Sequence, residues 1–167
     1  MGSEMELKRS AYHEAGHAVI GYRFGHRFAE ISVVPNSKYN TGHCRFFFEL
    51  DNPHSRCLVL LAGHAAQKAY DPDDMSDPSI TDYREVWRLS DAMPVGTYPK
   101  LLSEAEHLVR ENRNQIQGVA EALMECRVLD GGIFAVIIDC IDKGIDWRQS
   151  PEWVVHMQFH GNSMEGK

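Results

Sequence analysis

Apolar positions mark out the chain before any chemistry does. From about Ser10 to Phe24, residues Ala11, Ala15, Ala18, Val19 and Tyr22 recur at helical spacing and predict an amphipathic helix. Ser10 is a plausible N-cap and Gly25 a plausible stop. Ile31, Val33 and Val34 then read as one short strand and Cys44 to Leu50 as a second. The Pro-Asn-Ser-Lys-Tyr-Asn-Thr-Gly turn region separates them. Arg56 to Ala69 returns to helix, apolar enough to be largely buried. "YDPDDMSDPS" is acidic and punctuated by proline, a loop by composition. Ile80 to Asp91 predicts a further helix, ending before Met93-Pro94, and Pro99 to Arg127 a long one, in which Gly118 weakens continuity. "LDGGIFAVIIDCIDKG" reads as a turn and a short final helix. The pattern describes a mainly helical α+β fold, a single domain over residues 1–160, and "GNSMEGK" (161–167) as a disordered tail.

Within the first helix lies His13-Glu14-Ala15-Gly16-His17, an H-E-x-x-H pattern. Histidines four apart project from the same side of a helix, one turn above the other, and can reach one metal ion together. Glu14 lies beside that pair, able to reach a metal-bound water rather than the metal. A five-residue pattern is also met in ordinary amphipathic helices with two surface histidines, and a catalytic zinc needs a third protein ligand. Asp77, Asp82, Glu85 and Asp91 all compete for that place on residue type alone.

Composition narrows the alternatives. The 167 residues are 43% hydrophobic and 25% charged, as in an ordinary folded protein. A formal net charge of −7 argues against nucleic acid as a partner. No apolar run approaches the ~20 residues that span a bilayer, and "MGSEMELKRS" lacks the apolar core of a signal peptide. A cytoplasmic protein is therefore expected. Cys44, Cys57, Cys126 and Cys140 form no C-x-x-C pair and read as reduced, mostly buried thiols. Any metal must come from histidine and carboxylate.

"AYHEAGHAVIGY" resembles the active-site helix of the FtsH-type zinc peptidases. "ISVVPNSKYNTGHCRF" is similar to that family's following strand, turn and strand, and "LLAGHAAQKAY" to its Leu-Gly-Gly-Arg-Ala-Ala-Glu-Glu helix. "PSITDYREVWRLSDAM" resembles the segment that carries the family's third zinc ligand, which maps to Asp82. "LLSEAEHLVRENRNQIQGVAEALMECRVLDGGIFAVI" is similar to its terminal helices. The resemblance runs from about Lys8 to Ile138 in the family's order. It implies the FtsH peptidase-domain fold: a zincin-like active-site helix, a small β-hairpin and a C-terminal helical bundle. It also implies one Zn2+ held by His13, His17 and Asp82, with Glu14 as general base. No G-x-x-x-x-G-K-[ST] occurs, so the resemblance covers the peptidase module without the ATPase module or a membrane anchor.

The expected activity is therefore hydrolysis of peptide bonds in unfolded or extended polypeptides, independent of ATP, with an ATPase in trans as a further partner. The departures are His64 for the family's arginine and Gln67 and Lys68 for its two acids. If those positions support the metal, they favour a zinc-binding or metal-free interaction module that does not cut. A regulatory peptidase with one protein partner is a further alternative. His156 and His160 are four apart but lack a following glutamate, and they read as ordinary helix or tail histidines. His64 reads as a satisfied structural histidine with a lesser reading as a polar group toward the cleft, and His26, His43, His54 and His107 have no partner at ligand spacing. The strand Gly42 to Phe48 could serve as an edge on which substrate pairs, although its phenylalanines read first as core residues.

Overall fold

The first helix is longer than its apolar stripe. The computed structural model describes residues 4–35, 42–46, 52–75 and 80–160, and α1 spans Glu4–Arg23. Ser10 is not its cap but an interior residue. The added turn is held by a Lys8–Glu4 pair at 3.0 Å and by Arg9, which reaches Asp71 at 2.7 Å. The stop falls as expected. Gly25 takes φ +82, its N–H donates to Tyr22 O, and the His26 N–H donates to Gly21 O. This is the paired closure of a helix by a left-handed glycine.

Among the described residues the remaining elements are β1 (Phe28–Ser32), β2 (His43–Phe46), α2 (Pro53–Tyr70), α3 (Ile80–Ser90), α4 (Thr97–Glu111), α5 (Arg113–Cys126), β3 (Val128–Asp130), α6 (Gly131–Asp142), a 3-10 turn at Trp147–Gln149 and α7 (Pro151–His160). The fold is α+β and mainly helical, with one small antiparallel sheet in the order β2-β1-β3. Ile31 faces Cys44 on one side and Leu129 on the other. Most of the turn between β1 and β2, Phe47, Phe48, Asp77 and the 161–167 tail lie outside the described residues. No described helix is long and apolar enough to cross a membrane.

Three further expectations need correction. The long helix from Pro99 to Arg127 is two helices, and the break falls at Asn112, not at Gly118. Asn112 Nδ2 donates to Leu108 O at 2.9 Å while Oδ1 accepts from Arg23 Nε at 2.9 Å. An asparagine side chain that bonds the backbone one turn back competes with the helix ladder. The break lets α4 pack on α2 while α5 packs on α1. Next, Val128–Asp130 is a strand rather than part of a turn. Arg127 closes α5 with φ +68, which swings the chain onto the open edge of β1. Finally, α6 is not the last helix. Pro151 opens α7, where Trp153 N–H donates to Ser150 Oγ at 3.2 Å.

Two apolar clusters share α2. Val59, Ala62 and Ala66 join the larger cluster with α1, the sheet, α5 and α6. Leu58 and Leu61 join Val86 of α3 and Leu101 and Ala105 of α4 in the smaller one. The helix is thus apolar on two sides, as its composition suggested, and it ties α3 to α1. Phe46 packs on the larger cluster, edge to face with Phe28 at 6.1 Å.

Candidate metal centre

Small residues bring α1 and α2 close enough to build a site between them. A Cβ on Gly16 would stand 2.4 Å from Ala62 O and 2.8 Å from Ala66 Cβ. Both are closer than atoms can approach, so the helices cross at a distance only glycine permits. One residue further along each helix, a Cβ on Gly63 would stand 2.5 Å from His17 Nε2. Gly63 is therefore the bed on which the His17 ring lies.

Three polar atoms converge there. His13 Nε2 and His17 Nε2 are 3.0 Å apart. Asp82 Oδ2 lies 3.2 Å from the first and 3.4 Å from the second. Nitrogen and oxygen ligands of one tetrahedral zinc at about 2.1 Å stand about 3.4 Å apart, so the donor set and its spacing fit that ion. His17 Nδ1–H donates to Val59 O at 2.8 Å. This backbone acceptor fixes the ring and turns Nε2 toward the cluster, where it offers a lone pair once its proton is lost. Asp82 comes from the first turn of α3, where the helix dipole favours an anion. Among the described residues this is the group able to hold a metal ion.

Charge sharpens the arrangement. Burial pushes the Asp82 carboxyl up, but His17 and His13 outweigh it and hold the group far below the usual carboxylate range. Burial pushes His17 down, and Asp82, with Glu14 and the Val59 carbonyl, lifts it to about 9 in the metal-free chain. With its folded value above its ordinary one, His17 stabilises the metal-free fold fully below pH 6.5 and loses that contribution as pH rises through about 9. Zinc needs the deprotonated nitrogen. Its affinity should therefore climb from pH 6.5 to 9, by up to about tenfold per unit, as one proton is displaced. Calorimetric zinc titrations across that range read this directly, and a flat affinity would contradict it.

Glu14 is 4% exposed. A Cβ on Gly42 would stand 2.8 Å from Glu14 Oε1, so the glycine that opens β2 makes room for the carboxylate. Burial raises the Glu14 carboxyl, while His17 and His13 pull it back down. A carboxylate held up in this way is a stronger base when ionised.

The rival carboxylates are elsewhere. Glu85 pairs with Arg56 at 2.8 Å and Arg88 at 2.7 Å, Asp91 is exposed at the end of α3, and Asp77 is outside the described residues. His156 is buried beside Trp153, ring centroids 5.7 Å apart. His43 meets Glu30 at 3.0 Å and His54 meets Glu104 at 3.1 Å. His107 lies 3.4 Å from Glu111, and the His26 ring stands edge-on to Phe46.

Gln67 and Lys68 have their own employment. Gln67 Nε2 donates to Asp74 Oδ2 at 2.5 Å, Lys68 donates to the Asp74 carbonyl, and Arg9 lies 3.4 Å from Oδ1. Asp74 is 1% exposed, and this network ties the end of α2 to α1. Sequence reasoning missed Asp74 because it lies in an acidic loop where most carboxylates are solvated. Gly63 could have been noticed as a glycine inside an apolar helix. The Val59 carbonyl carries no sequence signal. His64 does not fit the reading of a satisfied histidine. Its Nδ1 is buried without a hydrogen-bond partner among the described residues, and burial, with His13 and Lys68, lowers its pKa.

The chain matches no protein-family model. It is similar to a mitochondrial inner membrane m-AAA protease component, YTA10, from Saccharomyces cerevisiae. The two are 24% identical over 109 residues, which cover 59% of this chain and 14% of that protein. The chain thus spans a small part of the relative's length. The likeness is distant and partial.

Proposed function

We propose that this chain is a zinc-dependent endopeptidase acting on unfolded or extended polypeptides. The observation that carries the reading is the convergence of His13, His17 and Asp82 within 3.4 Å of one another, with the buried Glu14 in the same helical turn. The distant likeness to a protease component points the same way. Bound by the three residues, zinc would lower the pKa of water toward ~7 and polarise a carbonyl.

The chain's own residues supply the rest. The Val59 carbonyl and the Gly63 bed keep the His17 ring in one orientation, and Asp82 brings a negative charge to the cluster. Glu14 takes a proton from the attacking water on a carboxylate oxygen and delivers it to the nitrogen of the leaving amine. β2, at one side of the described sheet and joined to Glu14 through Gly42, offers main-chain groups to an extended segment. Of the positions that favoured a non-cutting module, His64, Gln67 and Lys68, the last two serve the Asp74 network rather than the donor set. Casein cleavage should stop with 1,10-phenanthroline and return with added zinc. Cleavage indifferent to the chelator would contradict the proposal.

A further inference from the structure

His64 stands between the neighbours of two proposed metal ligands. It follows Gly63, on which the His17 ring lies. The His64 ring meets Tyr83 edge to face, centroids 5.7 Å apart, and Tyr83 follows Asp82 in the chain. A ring packed on α3 beside a proposed metal ligand is positioned before any substrate arrives, which is the condition for an electrostatic contribution to catalysis.

His64 Nδ1 is buried without a hydrogen-bond partner among the described residues. The residue as a whole is half-buried, so part of the ring meets solvent. The nearby cation Lys68 is engaged on the Asp74 carbonyl. An imidazole offers an N–H whether neutral or charged, and this one lies near enough to His13 for that residue's charge to act on it.

We propose that His64 is a catalytic hydrogen-bond donor, its ring N–H directed at the carbonyl oxygen of the peptide bond being cut. The inference rests on the peptidase reading. Water adds its oxygen to the carbonyl carbon and gives a proton to Glu14. The carbonyl π pair moves onto oxygen, where the negative charge accepts the His64 N–H. When the C–N bond breaks, that pair re-forms the carbonyl and Glu14 passes its proton to the amine nitrogen. No oxidant or further reactant is needed.

The test compares zinc-loaded wild type, His64→Leu and His64→Gln on casein, with binding of a phosphinic peptide measured by calorimetry. Loss of one such donor lowers kcat by about 100- to 1000-fold. His64→Leu should show that loss with KM within about twofold and full zinc content, and should bind the tetrahedral phosphinic mimic more weakly by a comparable factor. His64→Gln, which keeps an N–H, should recover at least about tenfold of each loss. Wild-type kcat and phosphinic-peptide affinity in His64→Leu would overturn the proposal, as would a loss of activity in proportion to lost zinc. Phosphinic-peptide binding is read without turnover. A chain that holds zinc but never cleaves therefore fails the peptidase reading separately from the His64 inference.

Discussion

Glu14→Gln should keep its zinc and its fold while casein cleavage falls by about 100- to 10,000-fold. The substitution is nearly isosteric, which matters because Glu14 Oε1 is packed against the site of Gly42 and a larger side chain would push β2 away. Glutamine cannot take a proton from water at neutral pH, so the variant removes the base and nothing from the donor set of His13, His17 and Asp82. Zinc content and thermal unfolding should match the wild type. Equal cleavage by both proteins would assign the activity to a contaminant. Cleavage by neither, with zinc retained, would return the chain to the class of binding modules.

The preference for unfolded substrate should be larger still. An extended segment must lie along the cleft to present its carbonyl, and a folded domain offers one only when it opens. Stable domains populate open forms at about 10⁻³ to 10⁻⁶ of molecules, so their cleavage should be slower to the same degree. A folded protein and its destabilised variant, each tested with and without ATP, measure this ratio. No phosphate-binding loop occurs in the sequence, and nucleotide should change neither rate. Stimulation by ATP in the purified chain would contradict the idea, whereas stimulation only after addition of cell extract would point to an ATPase acting in trans.

How much was legible depended on how local each cause was. The helix carrying His13 and His17 was readable because its alanines recur on one face, and its stop was readable in Gly25. Its start was not, because the first turn is held by Arg9 reaching Asp71, 62 residues away. The strand Val128–Asp130 was invisible for a similar reason. Three residues are too few to show alternation, and pairing with β1 decides their state. The break at Asn112 is set by contacts with Leu108 and Arg23, and neither the helical period nor the glycine at 118 signals it. Asp82 is the instructive residue of the site. Residue type left it among several acids, and the resemblance singled it out. In the fold, Val86 on the same helix is buried against Leu58 and Leu61 of α2, which brings the first turn of α3 to the two histidines.

The departures at His64, Gln67 and Lys68 were the strongest sequence argument for a scaffold. Gln67 and Lys68 change the residues around the end of α2, where a buried aspartate takes both side chains, and the three donor atoms stand within tetrahedral reach of one ion. Metal content therefore bears most directly on the central claim. Protein purified without added zinc, then loaded and freed of excess, should carry about one zinc per chain. Asp82→Ala should hold it more weakly, and His17→Ala should not hold it. A folded wild-type chain that takes up no zinc, or an Asp82→Ala variant that binds it with unchanged affinity, would contradict the His13, His17 and Asp82 centre.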